Sequence, residues 1–477
     1  MKILYASSEA LPFASTGGLG DVIGSLPPAV KSSLGEGSDV RVVIPLFPVV
    51  REKFSDILKL EKEIYVPLAW RRQYCGIWST IKDGVTFYFL DNEFYFKRAE
   101  FYGSYDDGER FAFFGKAVLE MMSALDFYPD ILHANDWQSS LAVIYLKQKY
   151  SYIPEYSGIK TVYTIHNIEY QGIYDFAILG DVFDLSETDR RVVEYNGAIN
   201  LSKGAITVSD VVTTVSERYA SEIMTPYYSH GLSDILRRCE GKLCGIVNGI
   251  DISYYDPASD PAIRYHYSIK NLAGKAKNKA ILQQMCGFEV EHDTPIIAMV
   301  SRLASHKGFD LVCRVIEEML NYDKVQFVLL GTGDSVFEEY FKRISAKYPS
   351  KFKAMIEFNK DLSKKIYAGS DMFLMPSKSE PCGLSQMIAS RYGTVPIVRE
   401  TGGLYDTIKA YNRYDGTGNG FSFANYNAHE MMSVIRQAEE LFCDRRTWNR
   451  LVRQVMSVDF SWSASAEKYI SLYKSLV

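Results

Sequence analysis

The chain alternates short apolar segments with longer amphipathic ones, and it does so in two successive series. The first series runs through Lys2–Ala6, Asp39–Ile44, Val85–Leu90, Ile131–His133 and Thr161–Ile165. The second runs through Pro295–Val300, Val325–Leu330, Met372–Pro376 and Val395–Val398. Near-continuous apolar runs of this length predict strands buried on both faces of a parallel sheet, with helices such as Leu311–Met319 and Glu430–Leu441 between them. A length of 477 residues exceeds what one ordinary core accommodates. The turn-rich stretch Gly245–Asp251 separates the two series, which places a boundary near residue 250. The predicted class is α/β, with two doubly wound Rossmann-like domains facing across a deep cleft. Open parallel sheets bind ligands outside the carboxyl ends of their strands, so the strand-end loops are where chemistry is sought.

Charge and composition narrow the ligand. A formal net charge of -5 argues against a general nucleic-acid binder and leaves neutral polymers and small molecules open. Aromatic residues make up 14% of the chain, enough both for core packing and for stacking on sugar rings. The seven cysteines are scattered, without a CxxC pair or zinc spacing, which points to a reducing compartment and no disulfide framework. The opening apolar run turns polar at Ser7-Ser8-Glu9, too early for a secretory signal, and no stretch approaches the ~20 apolar residues of a membrane span. A cytoplasmic location without membrane attachment is expected.

Four strand-end loops carry the chemistry. Ser15-Thr16-Gly17-Gly18-Leu19-Gly20-Asp21-Val22 follows a strand and leads into a helix. Its glycines and free amides suit an anion, although the same pattern makes a plain tight turn. It lacks the GxGxxG of a dinucleotide fingerprint, which argues against an NAD-dependent oxidoreductase. Ser301–Gly308 carries Arg302 and Lys307, a planar fork and a point charge within reach of one diphosphate, or else a solvated basic turn. Glu380-Pro381-Cys382-Gly383-Leu384 sets a carboxylate beside glycine and amides, as a sugar-hydroxyl acceptor or a helix cap. Thr401-Gly402-Gly403-Leu404 repeats the strand, glycine, helix pattern. Together they converge on a phosphorylated ligand, and no DxD-type metal site accompanies them. Arg302, Lys307 and helix N-termini can neutralise a leaving diphosphate without a metal.

Taken jointly these segments resemble the bacterial glycogen synthases and plant starch synthases, retaining glucosyltransferases of the GT-B fold. The family's KTGGLGDV is matched by Ser15–Val22 except at its first position, SRLxxQKG by Ser301–Gly308, EPCGL by Glu380–Leu384 and TGGLxDT by Thr401–Thr407. HxHDW appears as His133-Ala134-Asn135-Asp136-Trp137, TIHN as Thr164–Asn167 and NGID as Asn248–Asp251, in order along essentially the whole chain. The resemblance implies transfer of glucose from ADP-glucose to the non-reducing end of an α-1,4-glucan. It implies no cofactor and no metal, and the oligomeric state stays open. It assigns the donor diphosphate to Arg302 and Lys307, donor glucose to Glu380, and the reaction side to Asp136 and His166, whose backbone carbonyl would lie near the anomeric carbon. Phe358 falls where the family stacks an aromatic on the base. The matched motifs also place Ser15, Gly17, Gly18, Asp21, Asn248, Cys382, Gly383, Leu384, Thr401, Gly402 and Gly403 along the donor. His133, Tyr102 and Trp137 would lie on the acceptor side. The implied division is residues 1–250 as the acceptor-side catalytic domain, 251–455 as the nucleotide-sugar domain, and 456–477 as a helix crossing back to the first.

Several positions depart from the family pattern. Ser15 replaces the lysine before the glycines, removing a cation from the donor side. Asn135 replaces the second histidine of HxHDW, Gln138 stands where His is common, His306 replaces Gln, and Lys378-Ser379 replace Arg-Phe. These changes keep two alternatives in play: a UDP-glucose-preferring or other retaining GT-B enzyme, and a catalytically weak glucan-binding or regulatory homologue.

Overall fold

The computed structural model describes residues 1–477. The chain forms two compact units, Met1–Gly249 with Trp462–Val477, and Ile250–Ser461.

The first unit is built on a nine-stranded sheet in the order β12-β11-β7-β6-β1-β2-β5-β4-β3. Its strands are β1 (Lys2–Ala6), β2 (Asp39–Pro45), β3 (Lys59–Leu68), β4 (Arg71–Lys82), β5 (Val85–Asp91), β6 (Ile131–Asn135), β7 (Lys160–Ile165), β11 (Val211–Thr214) and β12 (Leu243–Gly245). Three short strands, β8 (Ile173–Tyr174), β9 (Glu194–Tyr195) and β10 (Ala198–Asn200), make a separate sheet. Pairing is parallel from β12 to β5, and β4 and β3 add an antiparallel edge. Tyr5 on β1 lies between Val42 of β2 and His133 of β6. Strand order reverses between β1 and β6, so the loops leaving these two strands open at the switch point where such sheets bind ligands. Ile3, Leu4, Tyr5 and Ala6 are fully buried, as a central parallel strand covered on both faces requires.

The second unit holds a six-stranded, all-parallel sheet in the order β15-β14-β13-β16-β17-β18. Its strands are β13 (Ile296–Val300), β14 (Gln326–Leu330), β15 (Phe352–Met355), β16 (Met372–Met375), β17 (Val395–Arg399) and β18 (Phe421–Phe423). Here the switch point lies between β13 and β16. The helix Phe309–Tyr322 buries Phe309, Val312, Val315, Ile316, Met319 and Leu320, a one-sided stripe at helical spacing.

The chain returns to the first unit at Trp462. The helix expected after about residue 456 starts six residues later, because Arg445–Met456 is a helix of the second unit. The intervening segment stays with that unit, where Ile250 donates its amide to the Phe460 carbonyl at 2.8 Å. Trp462–Lys474 buries Trp462, Ala466, Tyr469, Ile470 and Tyr473 on one face. The Tyr473 hydroxyl meets the Tyr5 hydroxyl at 2.8 Å and His133 Nδ1 at 2.7 Å. All seven cysteines are free, and no helix is long and apolar enough to cross a membrane.

Candidate active site

At the switch point of the second unit, the loop after β13 carries Arg302 and Lys307 and the loop after β16 carries Glu380. Lys307 Nζ donates to both Glu380 oxygens, at 2.9 and 2.7 Å, and Ser377 Oγ donates to Oε2 at 2.9 Å. Glu380 is only 6% exposed, so these three bonds hold the carboxylate in one orientation. The sequence suggested two free cations facing a phosphate. Instead Lys307 is paired with Glu380, while Arg302 is exposed and forms no ion pair. Cys382 is buried, and Gly383 turns the chain at φ 73° into the short helix Ser385–Arg391. Phe358 stands 82% exposed in the loop between β15 and the helix Lys360–Gly369, an open aromatic face for a ligand ring.

The assignment of Thr401, Gly402 and Gly403 to the donor needs correction in part. All three are buried. A Cβ on Gly402 would strike the Glu380 carbonyl oxygen, and one on Gly403 the Cys382 carbonyl oxygen. The Gly403 amide is already bonded to the Glu380 and Pro381 carbonyls at 3.2 and 3.1 Å. These glycines let one loop pack against the backbone of the other, and the Gly403 amide is not free for a phosphate. Gln386 fastens the same junction. Its Nε2 donates to the Cys382 and Gly383 carbonyls and to Thr407 Oγ1, at 3.1, 2.9 and 3.1 Å.

In the first unit the loop after β1 contains a residue that the motif reading missed. Glu9, 3% exposed, accepts from Thr16 N and Thr16 Oγ1 at 2.6 Å each, from Gly17 N at 3.3 Å, and from the Tyr102 hydroxyl at 2.6 Å. Two amides of the glycine loop therefore face an internal carboxylate, which corrects the reading of Gly17 as an anion contact. Exposed Gly18 opens the helix Gly18–Leu34, with Asp21 in its first turn. Ser15 lies over Gly20, where any Cβ would collide with the Ser15 side chain, and Ser15 Oγ donates to the Gly17 carbonyl at 3.2 Å. The sequence signal for Glu9 was an acid following Ser7-Ser8 after the first strand, at what proves to be the switch point.

The loop after β6 begins with Asp136 at φ 58° and ψ 176°, a region that side chains avoid and that costs about 1–3 kcal/mol to hold. Strain of this kind concentrates at functional positions. The conformation is held by the Asp136 amide donating to the Thr164 carbonyl at 2.9 Å and by Asp136 Oδ1 accepting from the His166 amide at 2.8 Å. Burial pushes the Asp136 carboxyl up to about 7, with the Glu9 charge adding to the rise against the opposing His166 and Asn167 amides. Burial also pushes His166 down to about 3, so its imidazole is neutral.

Of the residues assigned to the acceptor side, His133 does not belong there. It is fully buried, with Nδ1 on Tyr473 and Nε2 on Thr164 Oγ1 at 2.5 Å, and burial pushes it down to about 3. It lies inside β6, one strand turn before the loop, and the returning helix covers it. Trp137 is 9% exposed and packs edge-on against Phe111 at 5.1 Å and beside Tyr174 at 6.2 Å, a core role rather than an open platform. Tyr102 is partly exposed, and its hydroxyl joins Ser8 and Glu9. Asn248 is 6% exposed, with Oδ1 lacking a hydrogen-bond partner. No group of three or more His, Cys, Asp or Glu side chains is gathered to hold a metal ion.

The chain matches known proteins along its whole length. The family model described as starch synthase catalytic domain matches residues 2–238, and that of glycosyl transferases group 1 matches residues 287–454. A glycogen synthase of Bacillus cereus is 48% identical over all of this chain and all of its own length. One from Clostridioides difficile is 46% identical over the same full shares. The catalytic domain of starch synthase IV from Arabidopsis thaliana, solved with ADP and acarbose, superposes with a TM-score of 0.89 at 33% identity, covering 99% of each chain. With two doubly wound units of the GT-B class, both family models matched and identity near one half over full length, the chain belongs to the glycogen and starch synthase family of glycosyltransferases.

Proposed function

We propose that the protein elongates an α-1,4-glucan by transferring glucose from ADP-glucose to a non-reducing end with retention of configuration. The observation that carries this reading is the Glu380 carboxylate held by Lys307 and Ser377 at the switch point of the second unit, with exposed Arg302 in the same loop as Lys307. Arg302 supplies a bidentate fork for a diphosphate, and Lys307 adds charge when the donor draws it partly from Glu380. Glu380 accepts hydroxyls of the glucose, and Phe358 offers a face to the adenine. In the first unit, Asp136 and His166 act on the reacting sugar. Glu380 is committed to Lys307 and Asp136 Oδ1 to the His166 amide, so neither carboxylate is poised as a nucleophile. A same-face path is therefore favoured. The bond from the anomeric carbon to the leaving phosphate breaks, an oxocarbenium-like sugar is stabilised by the Asp136 carboxylate, and the acceptor hydroxyl attacks on the same face. Its proton passes to the departing phosphate. The diphosphate charge falls to Arg302, Lys307 and helix N-termini, without a metal. Partners on this reading are the nucleotide sugar and the glucan, and the seven free cysteines suit a cytoplasmic location.

Donor choice is the sharpest test of the glycine loop. ADP-glucose is expected to outcompete UDP-glucose, and Ser15→Lys should lower the KM for donor by about tenfold to a hundredfold by restoring one charge-assisted bond worth about 1.5–3 kcal/mol. Initial rates with both donors and both proteins check this. A Ser15→Lys enzyme with unchanged donor KM would show that this position does not face the donor. A wild type faster with UDP-glucose would reassign the nucleotide.

A further inference from the structure

Asn135, the third residue of His133-Ala134-Asn135-Asp136-Trp137, sits against His166. It is 1% exposed, at the end of β6. Its Nδ2 donates to the Ala6 and His133 carbonyls at 3.2 Å each. Its backbone is fastened by Ser139, whose Oγ accepts from the Asn135 amide at 2.6 Å and donates to its carbonyl at 2.7 Å. Two carbonyl acceptors admit only the NH₂ end of the amide, so Oδ1 must be the atom facing His166 Nε2 at 3.0 Å. An amide oxygen cannot donate, so Nε2 must carry the proton. In a neutral ring that leaves Nδ1 as a bare lone pair, and no protein donor meets it.

We propose that Asn135 is a positioning residue that locks His166 as the Nε2–H tautomer and so reserves Nδ1 as an acceptor for a sugar hydroxyl. A histidine at position 135, able to donate or accept, dictates no such choice. With Asn135 the imidazole accepts a hydroxyl proton through Nδ1 and cannot donate through that atom to a phosphate oxygen. The His166 amide, bonded to Asp136, fixes the backbone, and Asn135 fixes the ring, so both ends of the residue are set before substrate arrives.

The hydroxyl assignment rests on the proposed glucosyl transfer, whereas the tautomer does not. Imidazole nitrogen spectra of the full-length protein labelled with ¹⁵N-histidine, with His166 assigned by its absence in His166→Ala, read the tautomer without turnover. At pH 7 His166 should show a protonated Nε2 and a bare Nδ1. A proton on Nδ1, alone or with Nε2, would overturn the proposal. Among folded variants, Asn135→Leu and Asn135→His should each lose about tenfold or more in kcat while ADP affinity stays within about twofold. Retention of kcat within about twofold in both would remove the positioning role. A wild type that transfers no glucose from either donor refutes the proposed function and leaves the tautomer measurement standing.

Discussion

Glu380→Gln is expected to lower kcat by about two to three orders of magnitude while ADP still binds. The substitution keeps the shape and the bond from Ser377 but removes the charge that sets Lys307. In the free protein Lys307 spends both its short contacts on this carboxylate, at 2.9 and 2.7 Å. Glutamine offers one neutral oxygen, so the ammonium is released toward an anion. ADP affinity should therefore hold or tighten, and the loss should fall on turnover, as for an interaction used only in the transition state. Isothermal titration with ADP and initial rates with saturating ADP-glucose separate the two effects. Loss of ADP binding in a folded Glu380→Gln protein would assign Glu380 to nucleotide binding, and surviving activity would remove it from the reaction.

Asp136→Asn should cost about 100-fold or more in kcat and yet raise stability above neutral pH. Burial raises the carboxyl from 3.8 to about 7 in the folded protein. Between pH ~4 and ~7 the folded state holds a proton that the unfolded chain has released, so wild-type stability falls as pH rises through that window. Asparagine has no such titration and can still accept from the His166 amide. The variant should therefore gain in Tm relative to wild type between pH 4 and pH 8, with no gain at pH 4. Activity of the wild type should climb as pH passes about 7, since the ionised carboxylate opposes the positive charge on the sugar. Thermal melts at the two pH values with a pH–rate profile test both halves. A wild type whose Tm advantage over Asp136→Asn grows with pH would contradict the burial argument.

Much of the frame was legible because central parallel strands are apolar on both faces. The apolar run Lys2–Ala6 coincides with β1, and β2, β5 and β17 start where their apolar runs start, at Asp39, Val85 and Val395. The β3–β4 edge was not anticipated. β3 reads Lys-Leu-Glu-Lys-Glu-Ile, a charged run that looks solvated because it is a sheet edge, where charge discourages further pairing. The strand-end motifs marked the right loops, but not what each atom does inside them. A glycine pattern cannot tell an amide waiting for phosphate from one answered by Glu9 or by the Glu380 carbonyl. His133 was misplaced for a related reason. Its motif implied the acceptor side, but its partners Tyr473 and Thr164 come from a helix 340 residues away and from the neighbouring strand. Spacing along the chain carries no record of such partners. The Asp136 strain and the Asn135 amide orientation were likewise invisible until β6 and β7 were paired.

The central claim is glucosyl transfer from ADP-glucose to a glucan end, and one measurement addresses it directly. Purified protein, a glycogen primer and radiolabelled ADP-glucose should yield label in the polymer that β-amylase releases as maltose, matched mole for mole by ADP. That result requires α-1,4 linkage, addition at the non-reducing end and retention together. Label absent from the polymer with both ADP-glucose and UDP-glucose, from protein shown to be folded, would contradict the account.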